Sequence, residues 1–122
     1  MKYSNQKTIV DGIKFDSKLE AKRYTQLKQL EKSGLISFLE LQPTFLLQDK
    51  FYMLVDGKKQ CMRKIKYVAD FQYMQDGKLI IEDTKGIETK DYIIKKKLFL
   101  ENCDYDIFRE VKQRKTIEYC RL

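Results

Sequence analysis

Two aspartates and a lysine near the middle of this sequence are spaced so that one hairpin would gather them. Asp76-Gly77 is a strong two-residue turn signal, flanked by strand-forming stretches over Lys64–Met74 and Lys78–Lys85. With those two residues as the loop, Gln75 faces Lys78, and the same register carried along both strands sets Asp70 opposite Asp83. Directly opposed side chains have Cβ atoms roughly 4.5–5.5 Å apart, and like charges there repel. Strand alternation puts Lys85 on the Asp83 face and sends Glu82 to the other, where it reads as structural or supporting. A hard divalent cation would relieve the repulsion, because Mg²⁺ takes oxygen ligands and retains several waters. A lysine beside such an ion can orient or deprotonate a water, while the ion stabilises charge on a phosphate. The plainer alternative is a solvated strand face whose acids pair with Lys66 or Lys85.

Glu20 supplies a third carboxylate. Ser17-Lys18-Leu19-Glu20 is a capping-box pattern that opens a helix running to about Lys32, with Gly34 as its stop. Leu19, Tyr24, Leu27 and Leu30 form the apolar arc at the helical period, and Glu20 falls inside it. A carboxylate on the buried side needs a partner. Either it bonds back to the Ser17 backbone N–H as half of the capping box, or it joins the hairpin acids.

These elements sit in one domain, residues 1–122. The chain has 43% hydrophobic and 35% charged residues, the profile of an ordinary globular protein. Its 25 Lys+Arg against 18 Asp+Glu give a formal charge of +7, which favours phosphate-rich partners. Histidine is absent, which removes His-based triads, His-ligated zinc and nucleases with a histidine base. Three separated cysteines, Cys61, Cys103 and Cys120, fit neither a disulfide framework nor a zinc pattern. No apolar run approaches the roughly 20 residues of a membrane span, and Met1–Gln6 lacks an apolar signal core. The expectation is a cytoplasmic protein with no membrane partner.

The remaining elements follow from turn chemistry and strand formers. Short strands are expected around Thr8–Val10 and Ile13–Phe15 across Asp11-Gly12, then strand residues over Ile36–Leu47 interrupted at Pro43. Phe51–Val55 ends at Asp56-Gly57. Asp91 to about Asn102 reads as a second helix, followed by strands over Tyr105–Val111 and Thr116–Leu122. A helix, several strands, a helix and a strand argue an α/β or α+β mixed sheet with helices packed on it.

Asp70, then Asp83-Thr84-Lys85 after a turn, preceded by a helical Glu20, resembles the PD-(D/E)XK nuclease superfamily; Val68-Ala69-Asp70 stands where the motif has Pro-Asp. The ordered set Val10–Ser17, Glu20-Ala21, Gln42-Pro43, Tyr67–Phe71 and Glu82–Gly86 is similar to small phage-encoded endonucleases of the DUF1064 family. That resemblance covers about Thr8 to Val111. It implies a restriction-endonuclease-like core, with Mg²⁺ held by Asp70, Asp83 and the Thr84 carbonyl, and Mn²⁺ able to substitute. Glu20 would complete the site, directly or through water, and Lys85 would be the catalytic lysine. Lys90, Tyr92, Lys95, Lys96 and Lys97 would lie near the DNA backbone; for any one of those lysines a solvated helix face is the plainer reading.

The resulting expectation is a Mg²⁺-dependent endodeoxyribonuclease acting in phage recombination, replication or DNA processing. Branched DNA such as a Holliday junction is the favoured substrate, because 122 residues leave little room for a sequence-reading module. Cutting two strands would require a homodimer with paired sites. A sequence-specific or non-specific nuclease of linear DNA is an alternative that a substrate comparison would separate. An RNase H-like resolvase would use several carboxylates without Lys85. A non-catalytic DNA-binding module with the same fold would be expected to have lost at least one of the four site residues.

Overall fold

Turn and cap residues divide the chain into the elements of a computed structural model, which describes residues 7–122. Met1–Gln6, where the sequence lacks a signal core, lies outside the described residues. The order is β1 (Thr8–Val10), β2 (Ile13–Phe15), α1 (Lys18–Lys32), β3 (Ser37–Leu41), β4 (Thr44–Gln48), β5 (Phe51–Val55) and β6 (Lys58–Met62). It continues with β7 (Ile65–Val68), β8 (Phe71–Gln75), β9 (Lys78–Thr84), α2 (Lys90–Asn102), β10 (Ile107–Val111) and β11 (Thr116–Tyr119). The β8–β9 turn has φ of 52° at Asp76 and 74° at Gly77, the double positive φ of a type I′ hairpin. Ser17 caps α1 by accepting the Glu20 N–H at 3.1 Å, and Thr89 caps α2 through the Tyr92 N–H at 3.1 Å.

Five strands form the central sheet in the order β11-β10-β9-β8-β3. β9 and β10 are parallel, with α2 making the crossover between them, and the other pairs are antiparallel. The architecture is therefore the mixed α/β sheet flanked by helices that the sequence led us to expect, consistent with a restriction-endonuclease-like core.

Alternation along β9 splits the core in two. Ile80 joins Phe15, Ala21, Tyr24, Leu27 and Tyr73 beneath α1. Ile81 joins Tyr67, Tyr92, Phe99 and Phe108 beneath α2. Burying such side chains is worth about 1.5–3 kcal/mol each, so both helices are held by their apolar faces. Among the described residues no helix is long and apolar enough to cross a membrane.

One strand expectation needs correction, and one strand was not expected. Lys64–Met74 is not one strand: it breaks at Ala69-Asp70, where β7 leaves the central sheet and pairs with β4. The opposing segment bends at the same level, at Gln42-Pro43, because Pro43 has no N–H to continue a ladder. Here Ala69 N–H donates to the Pro43 carbonyl at 3.0 Å and Gln42 N–H to the Asp70 carbonyl at 2.9 Å. Register is kept across the bend, from Leu41 opposite Phe71 to Thr44 opposite Val68. The unexpected strand is β6, which the polar run Lys58-Lys59-Gln60 concealed; it pairs with β5. The result is one long two-stranded arm, β4–β5 out and β6–β7 back, rooted on α2 and standing clear at β5–β6.

Candidate metal centre

The bend that separates β7 from β8 is also what shapes the acidic site. Register runs from Gln75 opposite Lys78 to Phe71 opposite Glu82, as the hairpin predicts. Asp70 lies one residue beyond β8, and its N–H donates to the Glu82 carbonyl at 3.1 Å rather than continuing the ladder to Asp83. Freed from the pleat, its side chain is held by Thr84: the backbone N–H and Oγ1 of that residue both donate to Asp70 Oδ2 at 2.7 Å.

Asp83 has no solvent exposure. Its Oδ2 accepts a hydrogen bond from the Tyr67 hydroxyl and lies 3.5 Å from Lys85 Nζ. Its Oδ1 is buried with no donor at all. Desolvation, then the Asp70 carboxylate at hydrogen-bonding range, push the Asp83 carboxyl up to about 8, against the opposing pull of Lys85 and Tyr67. Two carboxylates this close, one fully buried and the other half-buried, repel unless a proton or a cation lies between them.

Glu20 is also buried. Desolvation, followed by the charges of Asp70 and Asp16, raises it to about 7, while Lys85 and a hydrogen bond from the Asp16 backbone pull the other way. The helix-end reading is shifted by one residue, since the expected bond back to the Ser17 N–H is not the one made, and the acidic neighbours are present as well. Its N–H is capped by Ser17, its carboxylate takes the Asp16 rather than the Ser17 backbone N–H, and it shares a field with Asp70 and Lys85.

Lys85 is positioned from two sides. Its backbone N–H donates to the Val111 carbonyl at 3.0 Å, tying it to β10, and its Nζ stands 4.4 Å from the centre of the Tyr92 ring. The Tyr92 hydroxyl donates to buried Glu110, which also accepts from Lys96 Nζ at 2.9 Å and from the Tyr119 hydroxyl at 2.8 Å. Burial alone would raise Glu110, but these three bonds outweigh it and hold the carboxyl below its ordinary range. Burial and the Glu110 bond keep the Tyr92 phenol protonated.

Glu82 does lie on the opposite face, as alternation requires. It accepts from Arg23 Nε at 2.6 Å, from the second Arg23 nitrogen at 3.0 Å and from the Tyr73 hydroxyl at 2.6 Å.

The structure brings together Asp70, Asp83, Thr84 and Lys85, with Glu20 coupled to them, and divides the expected DNA-facing group on α2. Lys90 and Lys97 are exposed, and Lys95 pairs with Asp91 at 3.4 Å. Tyr92 and Lys96 are turned inward and bonded to Glu110, so these two do not join the exposed lysines of the helix. Their spacing of four places them on the buried stripe of the helix. Tyr67 was missed. It stands on the neighbouring ribbon, and nothing local in the sequence marks the crossing of sheets that aims it at Asp83.

A divalent cation fits this donor set. Asp83 Oδ1 has an unused acceptor, and Asp70 adjoins it. Among the described residues no three His, Cys, Asp or Glu side chains form a ready-made cage, but Mg²⁺ is commonly held by one or two carboxylates with water in the remaining positions.

A family model described as "Protein of unknown function (DUF1064)" matches residues 1–121. No curated protein matches the chain. A solved structure titled "Crystal structure of SSO0001" is similar at 20% identity and a TM-score of 0.40, covering 83% of this chain. The matched region spans 49% of that protein's length.

Proposed function

The chain belongs to the DUF1064 family, and from that premise we propose that it is a Mg²⁺-dependent DNA endonuclease with a PD-(D/E)XK-type site. The observation that carries the reading is buried Asp83, whose Oδ1 has no donor and whose neighbour is a second carboxylate. A purely structural acid at that depth would be expected to have its oxygens satisfied.

Asp70, Asp83 and the Thr84 carbonyl would hold the ion, with Glu20 beside them or reached through water; Mn²⁺ has the same preference for oxygen. When bound, such an ion stabilises charge on a phosphate and lowers the pKa of a bound water. The chain's own residues do the rest. Tyr67 fixes the orientation of the Asp83 carboxylate through its hydroxyl, and Thr84 fixes Asp70 with two bonds. Lys85 Nζ, between Asp83 and the Tyr92 face, is placed to orient a water or steady the negative charge of a phosphate. Lys90 and Lys97, both exposed, are the α2 lysines still available to a DNA backbone.

The substrate we favour is branched DNA, as in recombination or replication of a phage genome. A single small domain of charge +7 binds chiefly through the backbone, and such binding reads shape more than sequence. Cutting both strands would call for a homodimer. The test is cleavage of linear, flapped and four-way DNA of matched sequence, with Mg²⁺, Mn²⁺ and EDTA. Metal-dependent cutting that favours four-way or flapped DNA is the expected result. Equal cutting of all forms, or cutting confined to one short linear sequence, would remove the branched substrate; no cutting with either metal would remove the nuclease.

A further inference from the structure

The β5–β6 ribbon is the part of the molecule that the acidic site leaves unexplained. It pairs with no other strand among the described residues, and every residue of β5 is exposed. An isolated two-stranded hairpin is only marginally stable in water, so an arm of this kind gains order from whatever it lies against.

Its chemistry identifies the occupant. Between Asp49 and Lys66 there are six cations against two acids, so this short segment holds +4 of the chain's +7. At the base of the ribbon a cleft of about 480 Å³ is lined by Asp49, Lys50, Cys61, Arg63, Lys64 and Lys66. Among the described residues none of the six cations, Lys50, Lys58, Lys59, Arg63, Lys64 or Lys66, is in an ion pair. On α2, by contrast, Lys95 and Lys96 are paired and, among the described residues, only Lys90 and Lys97 are not. Cys61, which lines the cleft, is opposite Tyr52 in the ladder, and the Tyr52 ring carries Lys59 Nζ at 4.6 Å. The cleft and an aromatic–lysine stack therefore share one face of the ribbon. Unpaired cations interleaved with aromatic surface match a polyanion with stackable or groove-lining bases, and a two-stranded ribbon is of a size the major groove admits.

We propose that the β5–β6 ribbon and the basic cleft at its base are a second nucleic-acid contact, which grips backbone phosphates flanking the point of cleavage. The proposal rests on the DNA-directed reading of the acidic site. Its geometry suits that role: at about 3.3 Å per residue, Lys64 lies at most about 20 Å from Asp70. That is close to the length of half a turn of duplex, whose full turn is about 34–36 Å.

The experiment measures binding of the full chain to fluorescent four-way and linear DNA in EDTA, across a salt series, with cleavage assayed separately in Mg²⁺. The variant Lys50→Gln/Arg63→Gln/Lys64→Gln/Lys66→Gln is compared with the charge-keeping Lys50→Arg/Arg63→Lys/Lys64→Arg/Lys66→Arg, both checked for unchanged melting. The expected result is at least a tenfold loss of affinity in the glutamine variant, with the salt slope reduced by about 0.9 for each phosphate no longer neutralised, and recovery in the charge-keeping variant. Unchanged affinity and slope in the glutamine variant would overturn the proposal even if the wild type cuts DNA. Loss of binding in a chain whose wild type cuts no DNA supports the ribbon's role and removes the nuclease. A wild type that binds no DNA overturns both. Light scattering of Leu54→Lys supplies the remaining arm: a dimer reduced to monomer with DNA affinity intact makes the ribbon an interface between copies and overturns the proposal.

Discussion

Glu82 and Asp83 are neighbours in one strand, neither reaches solvent, and they are held in opposite ways. Glu82 receives three donors, two from Arg23 and one from Tyr73, and Tyr73 is itself held by Arg109 at 2.7 Å. Asp83 receives one phenol and a lysine at 3.5 Å, faces another acid, and keeps one oxygen without a donor. The first arrangement is that of a buried charge paired to be left alone. The second leaves coordination capacity at a place where leaving it costs stability, and that difference separates a structural acid from a candidate ligand more clearly than burial does.

The largest effect should come from Asp83→Asn and Asp70→Asn. Each is expected to lower Mg²⁺-dependent cleavage by about 10²–10³-fold or more, while DNA binding survives or tightens because a repelling charge is gone. In metal-free buffer at pH 8, Asp83→Asn should melt no lower than wild type, since its amide can donate towards Asp70. Full turnover in either variant would end the assignment.

The mirror experiment is Glu82→Ala. Removing the acid strands Arg23 in a partly buried position, and the expected cost is about 3 kcal/mol, the low end for a broken buried pair because Arg23 keeps some solvent. Chemical denaturation measures it. A variant as stable as wild type would erase the contrast between the two acids.

Smaller, and specific to the site, is a pH effect. Glu20 is raised to about 7 and Asp83 to about 8, whereas both titrate near 4 in an unfolded chain. Between those values the folded state binds more protons, so metal-free stability is greatest at the acid end of the window and falls as pH climbs towards 8. A bound cation favours the ionised carboxylates and opposes that fall. Thermal melts with and without Mg²⁺ should therefore show a larger stabilisation at pH 8 than at pH 6, reaching about 2.7 kcal/mol at a hundredfold excess over Kd. An equal shift at both pH values would mean that the ion binds elsewhere.

The smallest expected change is Glu20→Gln. The Ser17 cap uses the Glu20 backbone N–H, which the substitution keeps, so melting should stay near wild type. Cleavage should fall about tenfold, a value taken as one modest electrostatic contribution of about 1.4 kcal/mol. Unchanged stability together with unchanged cleavage would leave Glu20 as a helix-end residue only.

What could be read from the sequence was whatever depends on near neighbours. Asp76-Gly77 determines a tight turn, a tight turn determines register, and register with a period of two brings Asp83 and Lys85 to one face and Glu82 to the other. Ser17 and Gly34 bound the first helix in the same local way. What only the tertiary structure decided depends on segments far apart in the chain. The bend at Gln42-Pro43 and Ala69-Asp70 takes the Asp70 side chain out of the pleat and hands it to Thr84. It also turns Tyr67 onto a second ribbon and aims it at Asp83. Lys96 shows the limit most plainly: in the sequence it is one lysine in a basic run, but β10 and β11 bring Glu110 and Tyr119 beneath the helix and turn that charge inward. Local chemistry sets turns, caps and faces because their energies arise within a few residues, whereas the partner of a buried charge is set by which surfaces pack together.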